Sequence, residues 1–173
     1  MLMQEERELV VEYGRKMSTD RLSTGTSGNI SVCNAEKGLM AISPSDMDYF
    51  STTPEDVVIT DLEANIVDGV RKPSSEWALH TAFYRHKPHA RAVVHTHSKW
   101  ATIWAQAGRD IPPYGTTHGD YFYGEIPCTR KMTPEEIAGK YELETGNVIV
   151  ETFRSRGLDP VQIPAVLVHS HGP

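Results

Sequence analysis

The chain has 173 residues, a length that fits one domain of ordinary size with a substantial core. Its 17 basic and 23 acidic residues give a formal charge of −6, which argues against nucleic acid or an anionic membrane as the main partner and favours a small polar substrate. Two cysteines are too few for a disulfide framework, the acidic N-terminus does not resemble a signal peptide, and no apolar run approaches a membrane span, so we expect a reduced, cytosolic protein.

The first half of the chain predicts one helix followed by short strands. Leu9, Val10, Tyr13 and Met17 recur at helical spacing, which predicts a helix over 5–17 that ends in the Ser/Thr/Gly-rich stretch 18–28. Strand-like runs bounded by turn-forming residues follow at 29–33, 38–43 and 56–60, and a hairpin is expected over 62–70. These strands should be consecutive and mostly antiparallel.

The second half alternates helices with two further strands. Ser74-Ser75-Glu76 is typical of a helix start, because a serine can cap free backbone N–H groups and a glutamate favours the first turn. We expect a strand over 91–95, a helix over 98–107, a helix opened by Thr133-Pro134 and continued or restarted over 146–154, and a last strand over 165–169. The predicted fold is α/β, with a central, mostly antiparallel sheet flanked by helices.

Two His-X-His triplets indicate a metal ion. Side chains two apart in a strand point to the same face, so His95 with His97, and His169 with His171, could each present two imidazoles to one spot. Imidazole is the commonest protein metal ligand, and catalytic zinc takes about three protein ligands. Glu76 is the nearest acidic candidate. The alternative for either triplet is a pair of structural histidines.

The histidines outside the two triplets give weaker evidence of a metal site. His80 lies one helical turn beyond Glu76, and we expect it to be a packed imidazole beside the site and not a ligand. His86 and His89 sit in a Lys/Pro/Arg-rich turn, where solvated side chains are expected.

Three polar segments are suited to anions. The stretch 24–29 offers two glycine amides and several hydroxyls, Ser43-Pro44-Ser45 adds hydroxyls at a turn, and Ser74-Ser75 lies at a predicted helix N-terminus. Unpaired N–H groups and the helix dipole favour phosphate at such a terminus. Each segment could also be an ordinary polar loop, but together they indicate a phosphorylated substrate.

These motifs resemble, in order, those of the class II aldolase and L-ribulose-5-phosphate 4-epimerase family. The matching motifs are Ser27-Gly28-Asn29-Ile30-Ser31, Ser43-Pro44-Ser45, Lys72-Pro73-Ser74-Ser75-Glu76, His95-Thr96-His97-Ser98 and His171-Gly172. Epimerase-like segments are dense at 101–108, 115–124, 126–132, 144–153 and 166–173. The resemblance implies a three-layer fold and a four-fold symmetric homotetramer.

The same resemblance implies the site residues. Zinc, or another divalent ion, would be held by Glu76, His95, His97 and His171, with His169 a neighbour only. The phosphate pocket maps to Gly28, Asn29, Ser45, Asp46, Ser74 and Ser75, where Asp46 replaces the family's glycine. Asp120 maps to the acid/base carboxylate of the epimerases.

The implied reaction is the interconversion of L-ribulose 5-phosphate and D-xylulose 5-phosphate by retro-aldol and aldol steps. Glu76 favours an alternative, because the fuculose-phosphate aldolase branch carries Glu there, also as the base, while the epimerases usually carry Asp. The resemblance further implies helices and a tail with a catalytic Tyr beyond position 173. We therefore expect a single domain over 1–173 that lacks them, and a second alternative is an inactive metal-binding fragment.

Overall fold

The structure is a computed structural model that describes every residue from 1 to 173. The chain folds into two units, Met1–Thr96 and His97–Pro173. The first unit contains α1 (Gln4–Thr19), β1 (Asn29–Asn34), β2 (Leu39–Ile42), β3 (Val58–Asp61), β4 (Ile66–Asp68), α2 (Trp77–His86) and β5 (Ala92–His95). The second contains α3 (Lys99–Gln106), α4 (Thr116–Gly119), α5 (Pro134–Ala138) and α6 (Tyr141–Ser155).

The five strands of the first unit form one antiparallel sheet in the order β4-β3-β2-β1-β5. β1 lies between β2 and β5, and its first residue, Asn29, is paired with His95, the last residue of β5. The helices and strands predicted for the first unit form with shifts of a few residues at their ends. The predicted hairpin forms between β3 and β4, with Asp61 accepting hydrogen bonds from the turn amides of Glu63 and Asn65.

The strands place alternate side chains on opposite faces of the sheet, and one helix covers each face. Ile30, Ala41 and Ile59 pack with Val10 and other apolar residues of α1. Their strand neighbours pack with Tyr84 of α2 on the other face; these are Cys33, Met40, Ile42 and Val58. The unit is therefore a helix–sheet–helix sandwich, which confirms the predicted fold class.

The second unit is mainly helical. Thr133 opens α5 with a capping box, because its hydroxyl accepts from the Glu136 amide while the Glu136 carboxylate accepts from the Thr133 amide. Ala105, Ile126, Cys128 and Leu167 form a small apolar core. Both cysteines of the chain are buried free thiols, and burial raises the pKa of each. No helix has both the length and the apolar character needed to span a membrane.

Two local predictions are wrong. The expected strand over 165–169 is a single bridge between Leu167 and Cys128, because the His169 amide, which would continue the pairing, donates to the Thr129 hydroxyl, and the Val168 amide donates to the Gly172 carbonyl in a terminal turn. The segment 146–154 is helical as predicted, within a separate helix that begins at Tyr141. The residue preceding α2 is Glu76, and no side chain caps its N-terminus, so the serines before it are not caps.

One buried cation links the elements of the first unit. The Arg7 side chain, 1% exposed on α1, donates from Nε to the Leu2 carbonyl (2.8 Å) and from Nη1 to the carbonyls of Pro54 (3.0 Å) and Val57. Its Nη2 forms an ion pair with Asp68 of β4 at 2.7 Å. Arg7 therefore satisfies backbone carbonyls that have no strand partner, and it joins α1 to the edge of the sheet.

Replacing Arg7 with methionine, which keeps much of the side-chain volume, should lower the free energy of unfolding by about 3 kcal/mol. The reason is that buried carbonyls lose their donor and Asp68 loses its partner. Urea denaturation measures the change. Lys16→Ala is the control, because its bond to Asp20 is exposed, and it should leave the unfolding midpoint unchanged. An Arg7→Met variant as stable as the wild type would contradict this role.

Candidate metal centre

The first unit brings a carboxylate and an imidazole together at one end of β1. Glu76 immediately precedes α2, and His95 ends β5 beside Asn29. Asn29 Nδ2 donates to Glu76 Oε2 at 2.6 Å, and the same oxygen lies 3.5 Å from His95 Nε2. The two predicted ligands of this unit are therefore adjacent, and the Asn29 amide orients the carboxylate.

The second unit brings together two imidazoles. His97 Nε2 lies 3.3 Å from His171 Nε2, with the ring centroids 5.3 Å apart. On its other side, His171 Nδ1 is 3.3 Å from the Tyr141 hydroxyl at the start of α6. A hydrogen bond to the distal ring nitrogen is the usual way in which a metal-binding imidazole is oriented.

The terminal triplet does not behave as a strand. Ser170 has φ +65°, in the left-handed region, so the side chains of His169 and His171 do not share a face. His169 Nδ1 instead contacts the Ser170 hydroxyl at 2.7 Å, and its ring packs on Gly108, where a Cβ would lie 2.3 Å from Nε2. The strand argument for this triplet is wrong, and the backbone turn at Ser170 is the reason.

Each donor pair by itself has a separation that fits a divalent ion. Two ligand atoms at the usual distance of about 2.0–2.2 Å from a tetrahedral zinc ion lie about 3.3–3.6 Å apart. The Glu76–His95 separation of 3.5 Å and the His97–His171 separation of 3.3 Å both fall in this range. Imidazole nitrogen with carboxylate oxygen is a donor set that suits zinc and its neighbours among the transition metals.

The predicted phosphate-binding segments of the first unit lie next to one another. The Ser45 amide donates to the Lys72 carbonyl at 2.9 Å, and the Ser74 amide donates to the Ser43 carbonyl at 3.0 Å. Ser43 Oγ accepts from the Ile30 amide, which joins this pair of segments to β1. Gly28 has φ +75°, and a Cβ there would lie 2.7 Å from the His95 carbonyl, so glycine is required for this close approach.

The side chains of these segments differ in what they offer a ligand. Ser74 is buried and Ser75 is exposed. Ser45 Oγ donates to Asp46 Oδ2 at 2.9 Å, and Asp46 has φ +59°, a conformation that glycine and aspartate tolerate better than most residues. Asn29, expected in the phosphate pocket, directs its amide N–H to Glu76.

Asp120 lies in the second unit as an exposed residue directly after α4. The loop that carries it is closed by His118, whose Nε2 contacts the Gly124 carbonyl and whose ring packs on Phe122. The structure leaves its acid/base role as a prediction.

A buried polar row that the sequence did not predict lies behind Glu76. His80 is fully buried, as expected of a packed imidazole, and its Nδ1 lies 2.7 Å from the Ser31 hydroxyl, which is 2.8 Å from the Tyr84 hydroxyl. Burial lowers the pKa of His80 to about 4 and raises that of Tyr84. The spacing of 76, 80 and 84, four apart on a helix, could have indicated this row. Nothing in the sequence marked Tyr141.

With this fold and these donor pairs, the chain belongs to the class II aldolase and adducin N-terminal domain family, whose sequence model matches residues 8–173. It is similar to the L-ribulose-5-phosphate 4-epimerase UlaF of Salmonella paratyphi B, with 44% identity over 171 residues that cover 99% of this chain and 74% of that protein.

Solved aldolases share the fold. The structure of an L-fuculose 1-phosphate aldolase matches with a TM-score of 0.83 and 29% identity, covering 99% of this chain and 74% of that one. The L-fuculose-1-phosphate aldolase from Thermus thermophilus matches with a TM-score of 0.73 and 26% identity, covering 98% and 78%. The resemblance expected from the motifs is confirmed.

The depressed pKa of His80 predicts a pH dependence of stability. An imidazole with a pKa near 6.5 in the unfolded chain and about 4 in the native chain binds a proton preferentially on unfolding, so stability falls as the pH drops through this window. Relative to His80→Gln, the wild type should lose about 2 kcal/mol between pH 7 and pH 5. Urea denaturation in chelator at both pH values measures this difference. Equal losses in the two proteins would contradict it.

Proposed function

We propose that the protein is a divalent-metal-dependent epimerase that interconverts L-ribulose 5-phosphate and D-xylulose 5-phosphate. The observation that carries the proposal is the spacing within each of two donor pairs, Glu76–His95 and His97–His171, because each separation suits two ligands of a divalent ion. The 44% identity to an L-ribulose-5-phosphate 4-epimerase over almost the whole chain supports the substrate.

The four donors are proposed to bind a single ion, zinc or another divalent cation. Thr96 alone separates His95 from His97 in the sequence, so one ligand of each pair comes from a single tripeptide. Such an ion, when bound, supplies Lewis acidity to the ketose carbonyl and its neighbouring hydroxyl while the bond between carbons 3 and 4 breaks and re-forms.

The protein's own groups bind, orient and move protons. The Asn29 amide and the Tyr141 hydroxyl orient Glu76 and His171. The adjoining segments around Ser45 and Ser74–Ser75 are proposed to bind the substrate phosphate, which leaves the reacting carbons near Glu76. Asp120 is proposed to exchange a proton with the hydroxyl on carbon 4, on one face of the cleaved fragment.

A class II aldolase acting on L-fuculose 1-phosphate or a similar ketose phosphate is the second candidate. Glu76 favours it, because this residue resembles the aldolase branch, and the TM-score of 0.83 to an L-fuculose 1-phosphate aldolase supports it. We also propose a cytoplasmic homotetramer. Large exposed side chains such as Trp100 (73%) and Tyr114 (83%) in the second unit support association between copies.

Product analysis tests the proposed reaction. With Zn²⁺ present, the chain should interconvert the two pentulose phosphates, because the cleaved fragments recombine before release. Release of two stable fragments from a ketose phosphate would instead establish the aldolase. A metal-loaded chain that converts neither substrate would be an inactive metal-binding fragment.

His171→Ala should reduce turnover at least 100-fold, because one of the proposed metal ligands is lost. His86→Ala removes an exposed histidine and should leave turnover unchanged.

Asp46 should weaken phosphate binding, because its carboxylate lies in the proposed phosphate loop and repels an anion. Asp46→Asn and Asp46→Gly both remove the charge and both suit the left-handed backbone, so each should lower the KM for the sugar phosphate several-fold with little change in kcat. Initial-rate kinetics measures this. A lower KM in Asp46→Gly alone would show that loop conformation, and not charge, limits binding.

A further inference from the structure

The polar row between α2 and β1 forms because one helical turn of α2 is about as long as two residues of β1. Four residues of helix rise about 6 Å, and two residues of strand rise about 6.6 Å. Asn29 of β1 therefore meets Glu76, and Ser31, two residues on, meets His80 and Tyr84. The same spacing that supplies a partner for the Glu76 carboxylate supplies one for the next helical turn.

His80 is not satisfied by this row alone. Its imidazole is 0% exposed, and Nε2 has no hydrogen-bond partner although Nδ1 is bonded. A buried polar atom left without a partner costs about 1–3 kcal/mol, so its retention calls for a reason. Glu76 and His95 both interact with this ring electrostatically. The ring that carries the unpaired nitrogen therefore belongs to the surroundings of the Glu76–His95 pair.

The neighbouring groups decide where the protons lie. A neutral imidazole beside a carboxylate is more stable with N–H than with a lone pair on the nitrogen that faces the negative charge. With the proton on Nε2, Nδ1 accepts from the Ser31 hydroxyl at 2.7 Å. The Tyr84 hydroxyl then donates to Ser31 Oγ at 2.8 Å and shares its single proton with the Ser31 carbonyl, the longer contact at 3.2 Å. The donors therefore run from Tyr84 through Ser31 towards His80.

We infer that His80 is a positioning residue for the Glu76 carboxylate, with Nε2–H directed towards the Glu76–His95 pair and held in that tautomer by Ser31 and Tyr84. The inference rests on the proposed metal-binding function, because orienting Glu76 matters for the ion that Glu76 is proposed to bind. Hydrogen-bonded groups behind metal ligands typically change metal affinity 10–100-fold when removed.

A pair of variants separates the two ring nitrogens. The side-chain nitrogen of asparagine overlays Nδ1, whereas that of glutamine reaches the position of Nε2. His80→Asn should bind Co²⁺ 10–100-fold more weakly than the wild type, with an altered visible spectrum, and His80→Gln should stay within about threefold with the wild-type spectrum. Ser31→Ala keeps His80 but frees Nδ1, and it should shift affinity and spectrum in the direction of His80→Asn. Competition with a chromogenic chelator gives the affinities, and thermal unfolding of each metal-free variant reports the fold.

The outcomes are distinguishable. A wild-type chain that binds no Co²⁺ would overturn the proposed metal site, and this inference with it. A wild-type chain that binds Co²⁺, together with a His80→Asn variant of equal affinity and spectrum, would overturn the inference alone. Equal losses of affinity in the Asn and Gln variants, in proportion to their losses of thermal stability, would also overturn it, because they would assign His80 a merely structural role.

Discussion

The hydrogen bond from Asn29 to Glu76 is the contact on which the first half of the candidate site depends. It joins the first residue of the central strand to the residue that precedes α2, 47 positions away in the chain. The antiparallel register of β1 with β5 sets His95 opposite the same asparagine. One amide thus locates both a carboxylate and, through the sheet, an imidazole, so the sheet register determines the local donor geometry.

The site also depends on polar groups that are buried because the packing supplies their partners. A charged side chain, Arg7, is buried on one face of the sheet, and a row of polar side chains, Ser31, His80 and Tyr84, is buried on the other. Such groups are stable only where nearly every donor meets an acceptor, which makes the surrounding geometry specific. His80 Nε2 is one exception, and the ring that carries it interacts with the residues that are proposed to bind the metal.

Backbone conformation shapes the rest of the site. The left-handed turn at Gly28 lets the chain pass close to the His95 carbonyl, and the left-handed turn at Ser170 rotates His171 away from the face of His169. At Asp46 the same conformation is adopted by a charged residue, so the backbone is kept while the electrostatics of the loop differ from those of a glycine. Similar loops can therefore present different charge to an anionic substrate.

Local patterns in the sequence determined the helices and strands, the alternation that puts α1 and α2 on opposite faces, and the His95–His97 adjacency, because each depends on residues within a few positions. The order of the motifs also determined the family. Tertiary structure alone decided which residues meet. Tyr141 contacts His171 from 30 positions away, and Arg7 contacts Asp68 from 61 positions away. The segment 165–169 forms only a bridge because the His169 amide donates to the hydroxyl of Thr129, 40 positions away. The physical reason is that sheet register and packing set these long-range contacts, and no short window of sequence contains both partners.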